Sequence, residues 1–179
     1  MIILVGLAGT GKSTQGHMLA DKKGYSWIST GEIMRATLNK QRSQEIQKGK
    51  LINDDEVIKI INKVLHSINK QQEYILDGFP RTVPQTQWLT QQVKAKRLSI
   101  TAVFNLYISK KVAENRLLKR GRPDDNQAAI KNRLNEYNNV TLPIIDIFKK
   151  NKVLVFDIDA DQLPEKVNQD IITQLDRIV

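Results

Sequence analysis

The stretch IILVGLAGTGKST at residues 2–14 decides the fold class. Residues 2–5 are apolar in succession, which is typical of a strand buried in a parallel sheet. Residues 6–13 then match the pattern G-x-x-x-x-G-K-[ST] without a mismatch, and a helical segment follows. Glycines at these positions let main-chain N–H groups turn towards an anion, and the N-terminus of the following helix adds a favourable dipole. The stretch therefore predicts a strand, a phosphate-binding loop and a helix, in that order.

Apolar runs alternate with segments of helical periodicity along the rest of the chain, which predicts an α/β fold with a parallel sheet. The predicted strands lie at residues 2–5, 25–28, 74–76, 103–108 and 153–156. The clearest helix has apolar residues at positions 57, 60, 61, 64, 65 and 68, and the caps expected at its start are Asn53, Asp54 and Asp55. A last helix is expected to begin near Leu163 and Pro164. With 179 residues and no internal repeat or linker, the chain is predicted to be a single domain.

Composition and charge exclude several classes of protein. The absence of cysteine excludes a disulfide scaffold and a thiolate metal site, and two histidines are too few for a multi-histidine zinc centre. The net charge of +9 is compatible with polyanion binding, but no aromatic platform accompanies the basic residues, so nucleic acid is not the expected ligand. The apolar run at the start is too short for a signal peptide or a membrane span. We therefore expect a cytoplasmic protein without a membrane partner.

The loop carries the groups that nucleoside triphosphate chemistry requires. Lys12 can reach the β- and γ-phosphates, and the hydroxyl of Ser13 can face Mg²⁺, the expected cofactor. Asp77 closes the apolar run at residues 74–76, at the edge of an α/β sheet where ligands bind. We therefore predict that Ser13 and Asp77 hold the metal, partly through water. The alternative for Asp77 is a turn-initiating residue.

Two other classes of nucleotide-binding protein fit poorly. A dinucleotide-binding fold needs the spacing G-x-G-x-x-G, whereas the glycines here fall as G-x-x-G-x-G. A guanine-reading GTPase is expected to carry Asn-Lys-x-Asp, and no Asn-Lys pair in the chain has aspartate at the fourth place. Both classes are disfavoured.

Further motifs resemble those of adenylate kinases, members of the P-loop nucleoside monophosphate kinase family, and they occur in the family's order. They are ISTGEIMR at residues 28–35, GKLI at 49–52, LDGFPRTVPQ at 76–85, RLLKRGRPDD at 116–125, and Arg133-Leu134 with Tyr137, Thr141 and Pro143. The resemblance covers nearly the whole chain. It implies a three-layer P-loop NTPase fold with a five-stranded parallel sheet flanked by helices. A small helical NMP-binding insertion is expected at about residues 29–52, and a short lid at about 120–124.

The same resemblance implies an activity. A monomer would transfer the γ-phosphoryl group of ATP reversibly to AMP, giving two ADP, with Mg²⁺. The alternatives that remain are a UMP/CMP kinase, another nucleoside monophosphate kinase, and a non-catalytic nucleotide-binding homologue.

The resemblance also assigns the site residues. The catalytic residues are Lys12, Arg81, Arg120, Arg122 and Arg133. The ATP-binding residues are Gly9, Thr10, Gly11, Lys12, Ser13, Thr14, Arg116, Arg120 and Gln162. The AMP-binding residues are Thr30, Arg35, Lys50, Leu51, Ile52, Gly78, Phe79, Pro80, Arg81, Gln85, Arg122 and Arg133. So many arginines suit phosphoryl transfer, because planar, permanently charged guanidinium groups neutralise several oxyanions gathered at one point.

The base expected at the acceptor site is adenine. Gln85 stands where adenylate kinases use a glutamine amide, which can pair with the N6 amino group and N1 of adenine together. Pyrimidine-specific relatives carry alanine where this chain has Thr30. The alternative for Gln85 is a surface residue at a helix N-terminus.

Two features depart from the family pattern. Ala8 replaces a usual proline, and Ser13 a usual glycine, but phosphate binding is expected to survive both changes. Only Gly121 separates Arg120 from Arg122, so the lid is shorter than usual and ATP hydrolysis is expected to leak through. Asp124, three residues before Gln127, fits a helix cap, so Asp124 and Asp125 fit a structural role as well as a functional one.

Overall fold

The computed structural model describes residues 1–37, 53–68, 72–122 and 125–178. The strands are β1 (Ile2–Gly6), β2 (Ser26–Ser29), β3 (Tyr74–Asp77), β4 (Ala102–Tyr107) and β5 (Val155–Asp159). The helices are α1 (Lys12–Lys23), α2 (Thr30–Thr37), α3 (Asp54–Ser67), α4 (Val83–Lys94), α5 (Lys110–Arg120), α6 (Gln127–Glu136), α7 (Pro143–Lys150) and α8 (Pro164–Leu175). A π-helical segment, Tyr137–Thr141, joins α6 to α7. The predicted strands are therefore all present.

The strands form one parallel sheet in the order β2-β3-β1-β4-β5. β1 lies at the centre, where Ile3 pairs with Leu76 of β3 on one side and with Val103 of β4 on the other. The connections after β1 and after β3 lead to opposite halves of the sheet, which opens a crevice at the carboxyl ends of these two strands. The phosphate-binding loop and Asp77 both lie at this edge.

Helices cover both faces of the sheet, which confirms the predicted three-layer α/β architecture. On β1, Ile3 and Val5 face one layer, and Ile2 and Leu4 face the other, because successive side chains of a strand point to opposite faces. The first layer includes residues of α3, α4 and α7, among them Ile61, Leu89 and Phe148. The second includes residues of α1 and α8, among them Leu19 and Ile171. Burial on both faces accounts for the continuous apolar runs of the central strands.

The helix starts show which capping predictions hold. Asn53 caps α3, since its side chain accepts a hydrogen bond from the main-chain N–H of Asp55 at 2.9 Å. α8 begins at Pro164, as predicted. The cap of α6 is Asn126, whose Oδ1 accepts from Ala129 N at 2.9 Å. Asp124, the cap predicted from the sequence, lies outside the described residues.

The insertion and the lid are only partly within the described residues. α2 (Thr30–Thr37) is the described part of the insertion predicted at about 29–52. At the lid, α5 ends at Arg120, and Gly121 follows in the left-handed region with φ 64°. Within the described ranges, no helix combines the length and the apolar character needed to cross a membrane.

Candidate functional site

A cavity of about 710 Å³ opens at the carboxyl ends of β1 and β3. It is lined by most of the site residues predicted from the sequence: Gly9, Thr10, Gly11, Lys12, Ser13, Thr14, Thr30, Arg35, Asp77, Gly78, Pro80, Arg81, Gln85, Arg116, Arg120, Arg122, Arg133 and Gln162. Residues from the N-terminal and C-terminal parts of the sequence therefore line the same cavity. Lys50, Leu51 and Ile52 lie outside the described residues.

The phosphate-binding loop depends on glycine at two positions. Gly9 has φ 89°, and a Cβ there would lie 2.9 Å from the main-chain oxygen of Ala113. Gly11 has φ 90° and stands at the N-cap of α1. These conformations are strained for residues with side chains, so the glycines allow the loop to wrap around the N-terminus of α1. The positive end of the helix dipole therefore faces the cavity, where an anion is favoured.

The ammonium group of Lys12 lies inside this loop. Its Nζ donates hydrogen bonds to the main-chain oxygens of Gly6 at 2.7 Å and Leu7 at 2.9 Å. Burial lowers the pKa of Lys12 to about 8; Asp77 opposes this shift, and Arg81 adds to it. The ammonium is therefore held where it is poorly solvated, and a phosphate anion would stabilise its charge.

The pKa of Lys12 makes phosphate binding depend on pH. At about pH 8.5 part of the free protein lacks the ammonium charge, and a bound anion raises the pKa of that group. Binding of ATP, the predicted ligand, is therefore expected to take up protons at this pH, and its affinity is expected to fall as the pH rises above about 8. Calorimetry in buffers of different ionisation enthalpy measures the uptake. Equal uptake in the Lys12→Met variant would contradict this origin.

A hydroxyl and a carboxylate meet beside the loop. Ser13 Oγ donates a hydrogen bond to Asp77 Oδ2 at 2.7 Å, although the two residues are far apart in sequence. Asp77 is buried at the end of β3. No cluster of three or more His, Cys, Asp or Glu side chains suited to a metal occurs in the described part of the chain. Two oxygen-bearing side chains would suit Mg²⁺ rather than Zn²⁺, because Mg²⁺ retains several waters and completes its shell with phosphate oxygens.

Asp125 gathers the arginines at the start of the lid. Its carboxylate accepts two hydrogen bonds from the Arg120 guanidinium, at 2.8 and 2.7 Å, and one from Arg133 at 3.1 Å. The main-chain N–H of Arg122 also donates to it at 3.2 Å. Burial alone would raise the pKa of Asp125, but these donors outweigh that effect and hold the pKa below its usual value. Asp125 thus orders guanidinium groups that would otherwise repel one another.

Arg81 faces the cavity from the loop after β3. Its Nε donates to the main-chain oxygen of Gly78 at 2.9 Å, and its own main-chain oxygen accepts from Thr141 Oγ1 at 2.9 Å. Desolvation inside the cavity lowers the pKa of Arg81, with Asp77 acting in the opposite direction. The side chain and the main chain of Arg81 therefore have separate partners, and the contact to Thr141 involves only the main chain.

Three predicted AMP-binding residues differ in how they face the cavity. Thr30 has a buried hydroxyl without a hydrogen-bond partner among the described residues, so a ligand could supply one. Arg35 lines the cavity from α2. Phe79 lies in the core instead, where its ring packs edge-on against Trp88 with centroids 6.0 Å apart. A ligand contact at Phe79 is therefore restricted to its main chain.

The two residues predicted to contact the adenine of ATP, Arg116 and Gln162, also line the cavity. Arg116 Nη1 donates to the main-chain oxygen of Ala160 at 2.9 Å, and its Nη2 lies 3.5 Å from Asp161. Gln162 follows in the same loop, and its amide donates to the main-chain oxygen of Asp159 at 2.9 Å. These contacts anchor the Arg116 guanidinium against the loop before α8, beside the cavity.

Sequence reasoning missed two groups at this site. Asp54 was interpreted only as part of a helix cap, yet its carboxylate accepts hydrogen bonds from Thr82 and Gln85, both at 2.7 Å. Thr141 belongs to a recognised motif, but its contact with the Arg81 main chain was not predicted. Neither pairing has a local signal, because the partners are far apart in sequence.

Comparisons with known proteins agree on one family. A family model described as "Adenylate kinase" matches residues 4–153. An adenylate kinase of Corynebacterium urealyticum is 34% identical over 182 residues, covering 98% of this chain and 99% of the relative. An adenylate kinase of Synechococcus sp. is 33% identical over 181 residues, with 98% of each chain covered. One of Leptospira biflexa is 38% identical over 163 residues, covering 86% of this chain and 88% of the relative.

Proposed function

The chain belongs to the adenylate kinase family, and from this premise we propose how its residues carry out the reaction of that family. It is a phosphotransferase that moves the γ-phosphoryl group of ATP reversibly to AMP, giving two ADP. The observation that carries the residue assignments is a single cavity that joins the phosphate-binding loop to a set of arginines. This arrangement suits a reaction in which catalysis consists of positioning and charge neutralisation.

The donor phosphates are proposed to bind in the loop formed by Gly9, Thr10, Gly11, Lys12, Ser13 and Thr14. Lys12 would exchange its two main-chain acceptors for phosphate oxygens, which recovers hydrogen bonds and stabilises its charge. Ser13 and Asp77 would hold Mg²⁺, partly through water. When bound, this ion supplies charge neutralisation at the β- and γ-phosphate oxygens. Arg116 and Gln162 would contact the adenine of ATP.

The acceptor AMP is proposed to bind between α2 and the loop after β3. Arg35 and Arg81 would pair with its phosphate, since a guanidinium group can donate two parallel hydrogen bonds to two oxygens of one phosphate. Thr30 and Gln85 would contact the base. The remaining assignments carried by the family resemblance are Lys50, Leu51, Ile52, Gly78, Phe79 and Pro80.

Arg120, Arg122 and Arg133 are proposed to act on the phosphoryl group in transit. Asp125 already holds Arg120 and Arg133 at one point, so little reorganisation is needed when negative charge develops there. Arg122 would reach both nucleotides from its place at the cavity wall. The short lid at about 120–124 would exclude water less completely than a long one, so slow ATP hydrolysis remains an expectation.

The protein is further proposed to act as a cytoplasmic monomer. The basic net charge of +9 is consistent with polyphosphate substrates. The absence of a nucleic-acid partner stays a prediction.

The choice of acceptor base tests the proposed function. AMP is expected to exceed CMP, UMP and GMP in kcat/KM by at least about a hundredfold, because a wrong base leaves buried polar groups unpaired. Gln85→Leu is expected to remove most of this margin without changing ATP binding. The measurement is initial transfer from MgATP to each monophosphate.

Gln87→Leu is the matched control, since Gln87 lies on the same helix with its side chain exposed. Its selectivity should equal that of the wild type. Phosphorylation of CMP or UMP as fast as AMP by the wild-type protein would instead support the pyrimidine alternative.

A further inference from the structure

The side-chain amide of Gln85 is held from both sides. Its Oε1 accepts a hydrogen bond from the main-chain N–H of Arg81 at 2.8 Å, and its Nε2 donates to Asp54 Oδ1 at 2.7 Å. The residue is buried, with 3% of its surface exposed, and it lines the cavity. Each end of the amide therefore has one fixed protein partner inside the site.

The two partners permit only one orientation of the amide. A carboxylate such as Asp54 only accepts hydrogen bonds, whereas a main-chain N–H only donates them. Rotating the amide by half a turn would place Oε1 against the Asp54 carboxylate and Nε2 against the N–H of Arg81. Both new contacts would be repulsive and buried, which is costly.

The locked amide still has hydrogen-bonding capacity for a ligand. A carboxamide has two acceptor sites on its oxygen and two protons on its nitrogen, and the protein uses one of each. One acceptor site and one proton therefore remain for a ligand. Adenine matches this pair, because its N6 donates and its N1 accepts. Hypoxanthine and guanine present the reverse, an O6 acceptor and an N1–H donor, and they would match only the rotated amide.

We infer that Asp54 is a positioning residue for base specificity, which fixes the Gln85 amide so that it reads a 6-aminopurine and rejects a 6-oxopurine. This inference rests on the proposed function, in which Gln85 contacts the base of AMP. Glutamine alone could serve either kind of purine, so the discrimination must come from the groups that set its orientation.

The surroundings of Asp54 fix the carboxylate itself. Thr82 Oγ1 donates to the same Oδ1 at 2.7 Å, and Thr82 is also the N-cap of α4, the helix that carries Gln85. Asp54 stands in the first turn of α3, which Asn53 caps. The Asp54 carboxylate is thus anchored on α3 and fixes the orientation of the Gln85 side chain on α4.

The test compares AMP with IMP as acceptors, because these differ in the base only at the atoms that the amide would contact. Asp54→Asn keeps the shape of the side chain but allows it either to accept from or to donate to Gln85. The ratio of kcat/KM for AMP to that for IMP is expected to fall by about tenfold, since the Arg81 N–H still opposes rotation. The KM for ATP is expected to stay unchanged.

Asp55→Asn is the control, because it makes the same charge change at an exposed neighbour in the same helical turn. Its ratio should match that of the wild type. A purely structural role for Asp54 would lower both rates in proportion and leave the ratio unchanged, and that result would overturn the inference. If Asp54→Asn does not fold, Asp54→Ser tests the same point, because a hydroxyl can also either accept or donate a hydrogen bond.

Failure of the inference can be distinguished from failure of the proposed function. A wild-type protein that does not discriminate AMP from IMP, or a Gln85→Leu variant that keeps the wild-type ratio, would show that Gln85 does not read the base. A ratio that collapses in Gln85→Leu but not in Asp54→Asn would overturn only the role of Asp54.

Discussion

Replacing Lys12 by alanine is expected to lower the rate of phosphoryl transfer by about two to four decades while the fold stays intact. The side chain lies in the phosphate-binding loop, and its removal takes one positioned charge from the transition state. Stability should not suffer, because burial lowers the pKa of Lys12 to about 8, so the folded protein holds this charge against a cost. Single-turnover transfer from labelled ATP measures the rate, and thermal melting checks the fold.

Lys22→Ala is the matched control for this variant. Lys22 lies on the same helix with its side chain exposed, so its removal changes the net charge equally without touching the loop. Transfer should then proceed at the wild-type rate. Near wild-type transfer by Lys12→Ala itself would refute the assignment of Lys12 to catalysis.

Arg81→Ala is expected to lower kcat/KM for AMP by about two to three decades, with little effect on the affinity for ATP. Arg81 is assigned to the acceptor phosphate, and its guanidinium is held by Gly78 at the cavity wall. The contacts of Arg81 with Gln85 and Thr141 come from main-chain atoms, so truncation of the side chain spares them. Steady-state kinetics with each nucleotide varied in turn separates the two effects.

Two variants sharpen the Arg81 experiment. Arg81→Lys keeps the charge but loses the planar pair of donors, and an intermediate loss is expected. Arg97→Ala removes an exposed arginine three residues beyond the C-terminal end of α4 and should leave the binding of both nucleotides unaffected. Equal damage to ATP and AMP binding by Arg81→Ala would show that the two-site assignment is wrong.

The fold could be predicted from the sequence because it depends on local patterns. Uninterrupted apolar runs mark strands that are buried on both faces, and the glycines, Lys12 and Ser13 form a loop whose conformation depends on neighbouring residues. The least accurate strand was β5, predicted at residues 153–156 and found at Val155–Asp159. It lies at the edge of the sheet, where Asp157 and Asp159 are tolerated, so the apolar pattern does not mark its end.

The site could be predicted only as a set of residues, and the tertiary structure decided how they are used. Periodicity and motifs indicate which element a residue belongs to, but hydrogen bonds between elements depend on how the helices pack on the sheet. The 2.7 Å contact between Ser13 and Asp77 follows from the pairing of β1 with β3. Whether Asp125 serves structure or catalysis was open in the sequence, and its buried contacts with Arg120 and Arg133 show a structural use.

Gln85 shows which property of a site residue the sequence determines and which property depends on the tertiary structure. The sequence by itself determined that an amide stands four residues after Arg81, near the start of a helix. Only the tertiary structure decided which way that amide points, because its orientation is set by Asp54, a carboxylate 31 residues away on another helix. The sequence specifies the type of each residue, whereas the direction of a hydrogen bond between distant residues is set only when their helices pack together.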